Sequence, residues 1–240
     1  MNTGLFLNLL LVHLVGDFVL QTDGLCKKKR ELGLKSWFMW VHPIIVTGLT
    51  WLLFGDWGFV WGGVITFVSH LLIDAMKSRV ERKGQRVGYF VIDQVLHLLI
   101  IGLLCWMYGD GWRQFEWVPE EYVLTGPAVL CALILCVKPA NILIKGVFES
   151  YQIEVPVKSK KNGNDLKNAG ALIGSVERII ILILMLLGQY EAVGFVIAAK
   201  SLMRFKDSEG AKAEYVLVGT LLSLCVAMIC AMGVIATRLE

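Results

Sequence analysis

At 240 residues, 56% hydrophobic and only 18% charged, with a mean hydropathy of +0.65, the chain is too apolar for a soluble domain of its length. Strand-period alternation is absent, which sets aside a membrane β-barrel, and the net charge of +3 says little until its distribution is read. The cysteines, Cys26, Cys105, Cys131, Cys136, Cys225 and Cys230, form no CxxC or Cys/His pattern. Most lie in apolar runs where a thiol acts as a small hydrophobe, so disulfides and thiolate–metal sites are not expected.

A bilayer core needs roughly 20 apolar residues per helix, and eight stretches read as spans: 4–24, 36–55, 57–77, 88–108, 124–145, 169–188, 190–206 and 213–236. The first has no basic region before it and reads as a retained span rather than a cleaved leader. Only the Gly55–Gly58 turn separates the second from the third, and the 190–206 segment is short enough to be re-entrant, giving seven or eight spans. The expected fold is therefore an all-α polytopic transmembrane bundle. It divides into a four-helix front part, 1–110, and a back part, 111–240, with a long basic connection at 146–168.

Lys and Arg mark the cytoplasmic side. The 24–35 loop carries Lys27, Lys28, Lys29, Arg30 and Lys35, and the 77–87 loop carries Lys77, Arg79, Arg82, Lys83 and Arg86. With the 138–167 and 200–212 stretches, 20 of the 23 basic residues fall on one side, which places both termini outside. The 146–168 loop beside anionic headgroups is ordinary positive-inside behaviour, and no nucleic-acid partner is expected.

All four histidines, His13, His42, His70 and His97, lie in the first four spans. Three stand four residues from a carboxylate: His13 with Asp17, His70 with Asp74, and Asp93 with His97. Residues i and i+4 share a helix face, so each pair presents two potential ligands in one direction. Gln21 extends the first stripe and Gln94 flanks the last. At about 1.5 Å per residue, Asp17, His42, His70 and Asp93 each fall roughly 10–15 Å from the basic boundary, so four helices bring polar groups to one layer. Ionisable groups in a membrane are costly and face the bundle interior. Imidazole with carboxylate suits Zn²⁺, with Mn²⁺ or Fe²⁺ as alternatives. His13, Asp17, His42, His70, Asp74, Asp93 and His97 exceed one tetrahedral shell. Either two metals bind, or one binds with Asp17, Asp74 or Asp93 left as supporting partners or general base. The bland alternative is interhelical hydrogen-bond glue without metal.

In the back part, Gly170 and Gly174 make a small-residue face, followed by Glu177 and Arg178 inside an apolar run. Lys200 and Arg204 end the seventh span. Arg178, Lys200 and Arg204 are candidates to bind an anionic group such as phosphate, with Asn141 and Lys145 lining the same cavity. The alternative is a structural ion pair of Glu177 with Lys200 or Arg204.

These segments resemble a bacterial membrane family, domain of unknown function 3307. The matching residues are His13-Leu-Val-Gly-Asp17-Phe-Val-Leu-Gln21-Thr-Asp23, His70-Leu-Leu-Ile-Asp74-Ala-Met-Lys77 and Asp93-Gln94-Val-Leu-His97, within the front 100 residues. Gly170-Ala-Leu-Ile-Gly-Ser-Val-Glu-Arg178 and Ala198-Ala-Lys-Ser-Leu-Met-Arg-Phe205 look like the back part of longer members. The resemblance implies a bacterial inner-membrane location and supplies no activity. More distantly, the layout looks like that of inner-membrane metal-dependent hydrolases, an analogy only.

Together these readings lead to an expected integral-membrane, metal-dependent hydrolase acting on an amphiphilic or phosphate-bearing substrate from the cytoplasmic leaflet. The rivals are a divalent-metal or proton-coupled transporter and a non-catalytic scaffold. Membrane lipids are the expected surroundings, and a homo-oligomer is compatible with the sequence.

Overall fold

The computed structural model describes residues 2–55, 57–80, 86–112, 119, 122–153, 169–205 and 211–238. Helix dominates throughout, as a bilayer demands of a chain whose backbone groups must pair within each segment. The order is α1 (Thr3–Leu14), a π-helical turn (Val15–Leu20), α2 (Asp23–Leu32), α3 (Trp37–Phe54), α4 (Val60–Val80), α5 (Arg86–Tyr108), α6 (Tyr122–Leu135), α7 (Lys138–Ser150), α8 (Ala169–Leu186), α9 (Tyr190–Phe205) and α10 (Ala211–Ala236).

Among the described residues, six helical stretches are long and apolar enough to cross a membrane. They are Thr3–Leu20, Trp37–Phe54, Trp57–Val80, Val87–Tyr108, Ala169–Leu186 and Tyr215–Ala236, and α6 with α7 would make a seventh if counted as one span. Three expectations change. The first span stops at Leu20, and the 24–35 loop is largely the separate helix α2. The 124–145 span breaks at Cys136–Val137, where Val137 leaves the helical region (φ −99°, ψ −96°) and Pro139 follows without an amide hydrogen. The 190–206 segment forms a helix of 16 residues, about 24 Å at 1.5 Å per residue, short of the ~30 Å core.

The chain separates into two compact units, Met1–Ile134 and Leu135–Glu240, so α6 belongs largely with the front helices and the division falls later than residue 110. In the first unit α1 packs on α3 and α5, α3 on α4, and α4 on α5, closing a four-helix bundle. Asn2 caps α1 by accepting from the Leu5 amide at 3.0 Å, and its amide donates to the Gly109 carbonyl at 3.2 Å, tying the start of α1 to the end of α5. Gly55, left-handed at φ +61°, closes α3 and allows the tight return into α4.

The bundle interior is two-toned. At the end where α1 begins, Leu5, Leu9, Phe59, Ile101, Leu104 and Cys105 form an apolar core, flanked by Trp51, Phe54 and Tyr108. At the other end the interior is polar, and α2 packs across α3 and α4 beside it. Exposed Trp57, Trp61 and Trp106 stand at the apolar end and exposed Trp37 and Trp40 at the polar, basic end, the two-belt pattern of membrane interfaces. The second unit is built on α8 packed against α10, with α7 touching both and α9 on α8. Its core holds Ile181, Val193 and Ala227.

Candidate functional site

Asp17 lies in the π-helical turn that continues α1. Such turns insert a residue and re-aim side chains, and they recur at functional sites. Gly16 beside it permits close approach of α3: a Cβ there would stand 2.7 Å from Val46 Cγ2. That contact brings Asp17 to His42, one residue before Pro43 within α3. His70 comes from α4, and Asp93 and His97 from α5.

His13, His42, His70, His97, Asp74 and Asp93 are all buried. The helices re-pair the groups across the bundle rather than along each stripe. His42 Nε2 lies 3.1 Å from Asp17 Oδ1 and 2.9 Å from His70 Nε2, and His70 Nε2 lies 3.3 Å from the same Asp17 oxygen. The i,i+4 neighbours are looser, His13 Nδ1 to Asp17 Oδ1 and His97 Nδ1 to Asp93 Oδ1 both being 3.9 Å. Imidazole rings line up through the layer, with centroids 4.8 Å apart for His42–His70, 4.3 Å for His70–His97 and 4.7 Å for His13–His97.

The three carboxylates differ in company. Asp74 accepts from the Lys29 ammonium, and Lys29 also donates to Gln21 Oε1 at 3.2 Å. Asp93 Oδ2 accepts from Lys77 Nζ at 2.7 Å and from the Gln94 amide at 3.0 Å. Asp17 has no lysine within ion-pair distance among the described residues; imidazoles surround it instead. Three carboxylates against two ammoniums leave the layer one negative charge when the imidazoles are neutral.

Hydrogen-bond direction fixes two of the rings. The Gln94 amide nitrogen donates to Asp93, so its oxygen accepts, and His13 Nε2 at 3.2 Å must carry the hydrogen. His13 Nδ1, facing Asp17, is then a bare lone pair. His97 Nδ1 donates to the Asp93 carbonyl at 2.8 Å, which leaves Nε2 bare, buried and without a partner. A ring nitrogen donating to a carbonyl while its other nitrogen stays free is the way metal-ligating histidines are commonly held.

Three sets of ligand atoms come within 4.8 Å of one another: Asp17, His42 and His70; His13, His70 and His97; and Asp17, Asp93 and His97. The first is the tightest. A point equidistant from its three atoms lies about 1.8 Å from each in their plane, so an ion at zinc-like bonds of about 2.0–2.1 Å fits just off that plane. Asp74 enters none of the sets, though its Oδ2 is 3.9 Å from His42 Nε2. A cavity of about 30 Å³ lies against the layer, its mostly apolar wall formed by Leu9, Val46, Ile100, Ile101 and Leu104 together with His13, His70, His97, Thr50, Thr66 and Ser69. That is room for a water or two.

Lys29 is the residue that sequence reading misplaced. Counted as a solvated loop charge, it is 5% exposed. Its signal was the spacing of Leu25, Cys26 and Lys29 on one face of α2, hidden in the Lys27–Arg30 run. Lys77 was likewise read as a boundary marker and as the end of the matching 70–77 segment, with no role in the layer.

The second-unit candidates do not converge as an anion site. Arg178, 1% exposed, donates to the Cys136 and Val137 carbonyls at the α6–α7 break, to Asn141 Oδ1 at 2.6 Å and to Ser223 Oγ at 3.2 Å. It thus supplies a hydrogen to the Cys136 carbonyl at the break and a second one to the Val137 carbonyl, which also accepts from the Asn141 amide at 3.2 Å. Lys200 pairs with Glu177, the ion-pair alternative. Lys145 is exposed and 4.0 Å from Glu149. The Arg204 side chain lies outside the described residues.

Fold and site define a polytopic helical membrane protein with a buried His/Asp layer closed at its basic end by two lysine–aspartate pairs. Residues 5–120 match the model of the family described as protein of unknown function DUF3307, so the chain carries a domain of that family, spanning the whole layer. No curated protein and no solved structure matches the chain.

Proposed function

We propose that the front unit binds a divalent metal ion on Asp17, His42 and His70 and uses it to hydrolyse an amphiphilic, phosphate-bearing substrate at the membrane. The observation that carries this reading is the triangle of 2.9, 3.1 and 3.3 Å between the three ligand atoms, next to a water-sized cavity reaching His70. Three protein ligands with room for water is the arrangement of catalytic zinc sites, whereas structural sites are closed by a fourth ligand. A metal there would polarise a bound water and make it a nucleophile near neutral pH. One divalent ion turns the layer from one negative to one positive charge, which favours an anionic substrate group. Lys77, 30% exposed at the rim, is placed to meet that group.

The test is metal analysis of the purified chain against Asp17→Asn and His42→Ala, followed by hydrolysis of phosphate-ester amphiphiles in detergent. We expect bound metal and metal-dependent phosphate release from the wild type only. A wild type that holds no metal overturns the reading in favour of hydrogen-bond glue. The same ligands drawn from three helices would also serve a divalent-metal carrier, with zinc uptake into liposomes as its signature.

A further inference from the structure

We infer that the layer has a second cation position beside the first, formed by Asp93 and His97 and sharing Asp17 as a bridging carboxylate. The inference rests on the metal reading above and deepens it. Among the described residues, His97 Nε2 and Asp93 Oδ1 are buried atoms without any hydrogen-bond partner. Both residues are at least 96% buried, with 4% and 3% exposure. A bare imidazole nitrogen and a free carboxylate oxygen are both acceptors, so they cannot satisfy each other, and leaving either unpaired is costly in a low-dielectric interior. A cation between them resolves both.

The surrounding bonds aim these lone pairs. His97 is turned by its bond to the Asp93 carbonyl, and Asp93 by Lys77 and Gln94 on its other oxygen. Asp17, Asp93 and His97 offer atoms within 4.8 Å of one another. Neighbouring ligands of a tetrahedral ion at about 2.1 Å stand about 3.4 Å apart, so binding would draw this set inward. Asp17 belongs to this set and to the tight one with His42 and His70, which makes it the bridge. Two divalent ions would leave the layer strongly positive. Such a pair would clamp the attacking and leaving oxygens of a phosphate ester.

The full-length protein in detergent is stripped with chelator, reloaded with Mn²⁺, and examined by metal analysis and electron paramagnetic resonance. Two ions per chain and an exchange-coupled spectrum are expected for the wild type. His97→Gln and Asp93→Asn should each hold one ion with an uncoupled six-line spectrum, and His42→Gln should lose the coupling too. One uncoupled ion in the wild type overturns the second position and leaves the first intact; no ion overturns both. Two ions retained in both His97→Gln and Asp93→Asn would place the second ion elsewhere and overturn the assignment. The wild-type spectrum decides the matter even where a variant fails to fold.

Discussion

Replacing Lys29 with methionine isolates what the buried ion pairs do. Methionine keeps the length and apolar stem of lysine, so packing of α2 is preserved while the charge disappears. Asp74 is then left 8% exposed without its ammonium, and Gln21 loses a donor at 3.2 Å. Removing one partner of a buried pair costs about 3–5 kcal/mol, because the remaining charge is uncompensated. At about 2–4 °C per kcal/mol for a chain of this size, the melting midpoint should fall by about 6–20 °C. Fluorescence of the eight tryptophans during heating in detergent reads the change. Lys29→Met with Asp74→Asn removes both charges and should recover most of the loss. The freed Asp74 carboxylate, 3.9 Å from His42 Nε2, should also join a metal, so zinc should raise the midpoint of Lys29→Met more than that of the wild type. A single variant as stable as wild type, or a double variant no better than the single, would refute the reasoning.

Gly16→Ala should cost about 1–3 kcal/mol, since its Cβ meets the stiff, buried Val46 at 2.7 Å, and should weaken zinc binding by moving Asp17 away from His42. Adding Val46→Ala should restore both; zinc titration that finds no rescue would show the contact does not set the ligand geometry. Gln94→Leu should lower affinity at the second cation position about 10–100-fold, because Asp93 loses the amide that helps fix its carboxylate; calorimetry with an unchanged affinity would count against that chain of bonds. In the second unit, Arg178→Lys should be nearly as destabilising as Arg178→Leu, because an ammonium cannot fork to the Cys136 and Val137 carbonyls and Asn141 together. The Cys136 carbonyl or Asn141 Oδ1 left bare costs about 1–3 kcal/mol each, and a lysine variant with the wild-type melting midpoint would disprove the capping role.

Much of the site was legible because membrane depth is a one-dimensional quantity. Counting residues from the basic loops put Asp17, His42, His70 and Asp93 in one layer, and the layer exists. The i,i+4 spacing put three of the four histidines on one face with a carboxylate. It failed for partners, since His70 turns to His42 and Asp17 while Asp74 turns to Lys29. A helical repeat gives the direction of a side chain relative to its own axis and nothing about the neighbour it meets.

By itself, then, the sequence determined the helical membrane class, the places of most spans and the membership of the His/Asp layer, because apolar runs, loop charges and depth are all local properties of the chain. Only the tertiary structure decided which carboxylate goes without a lysine, where Lys29 sits, and that Arg178 caps a broken helix. Those outcomes depend on how helices rotate and approach one another, down to a single missing Cβ at Gly16.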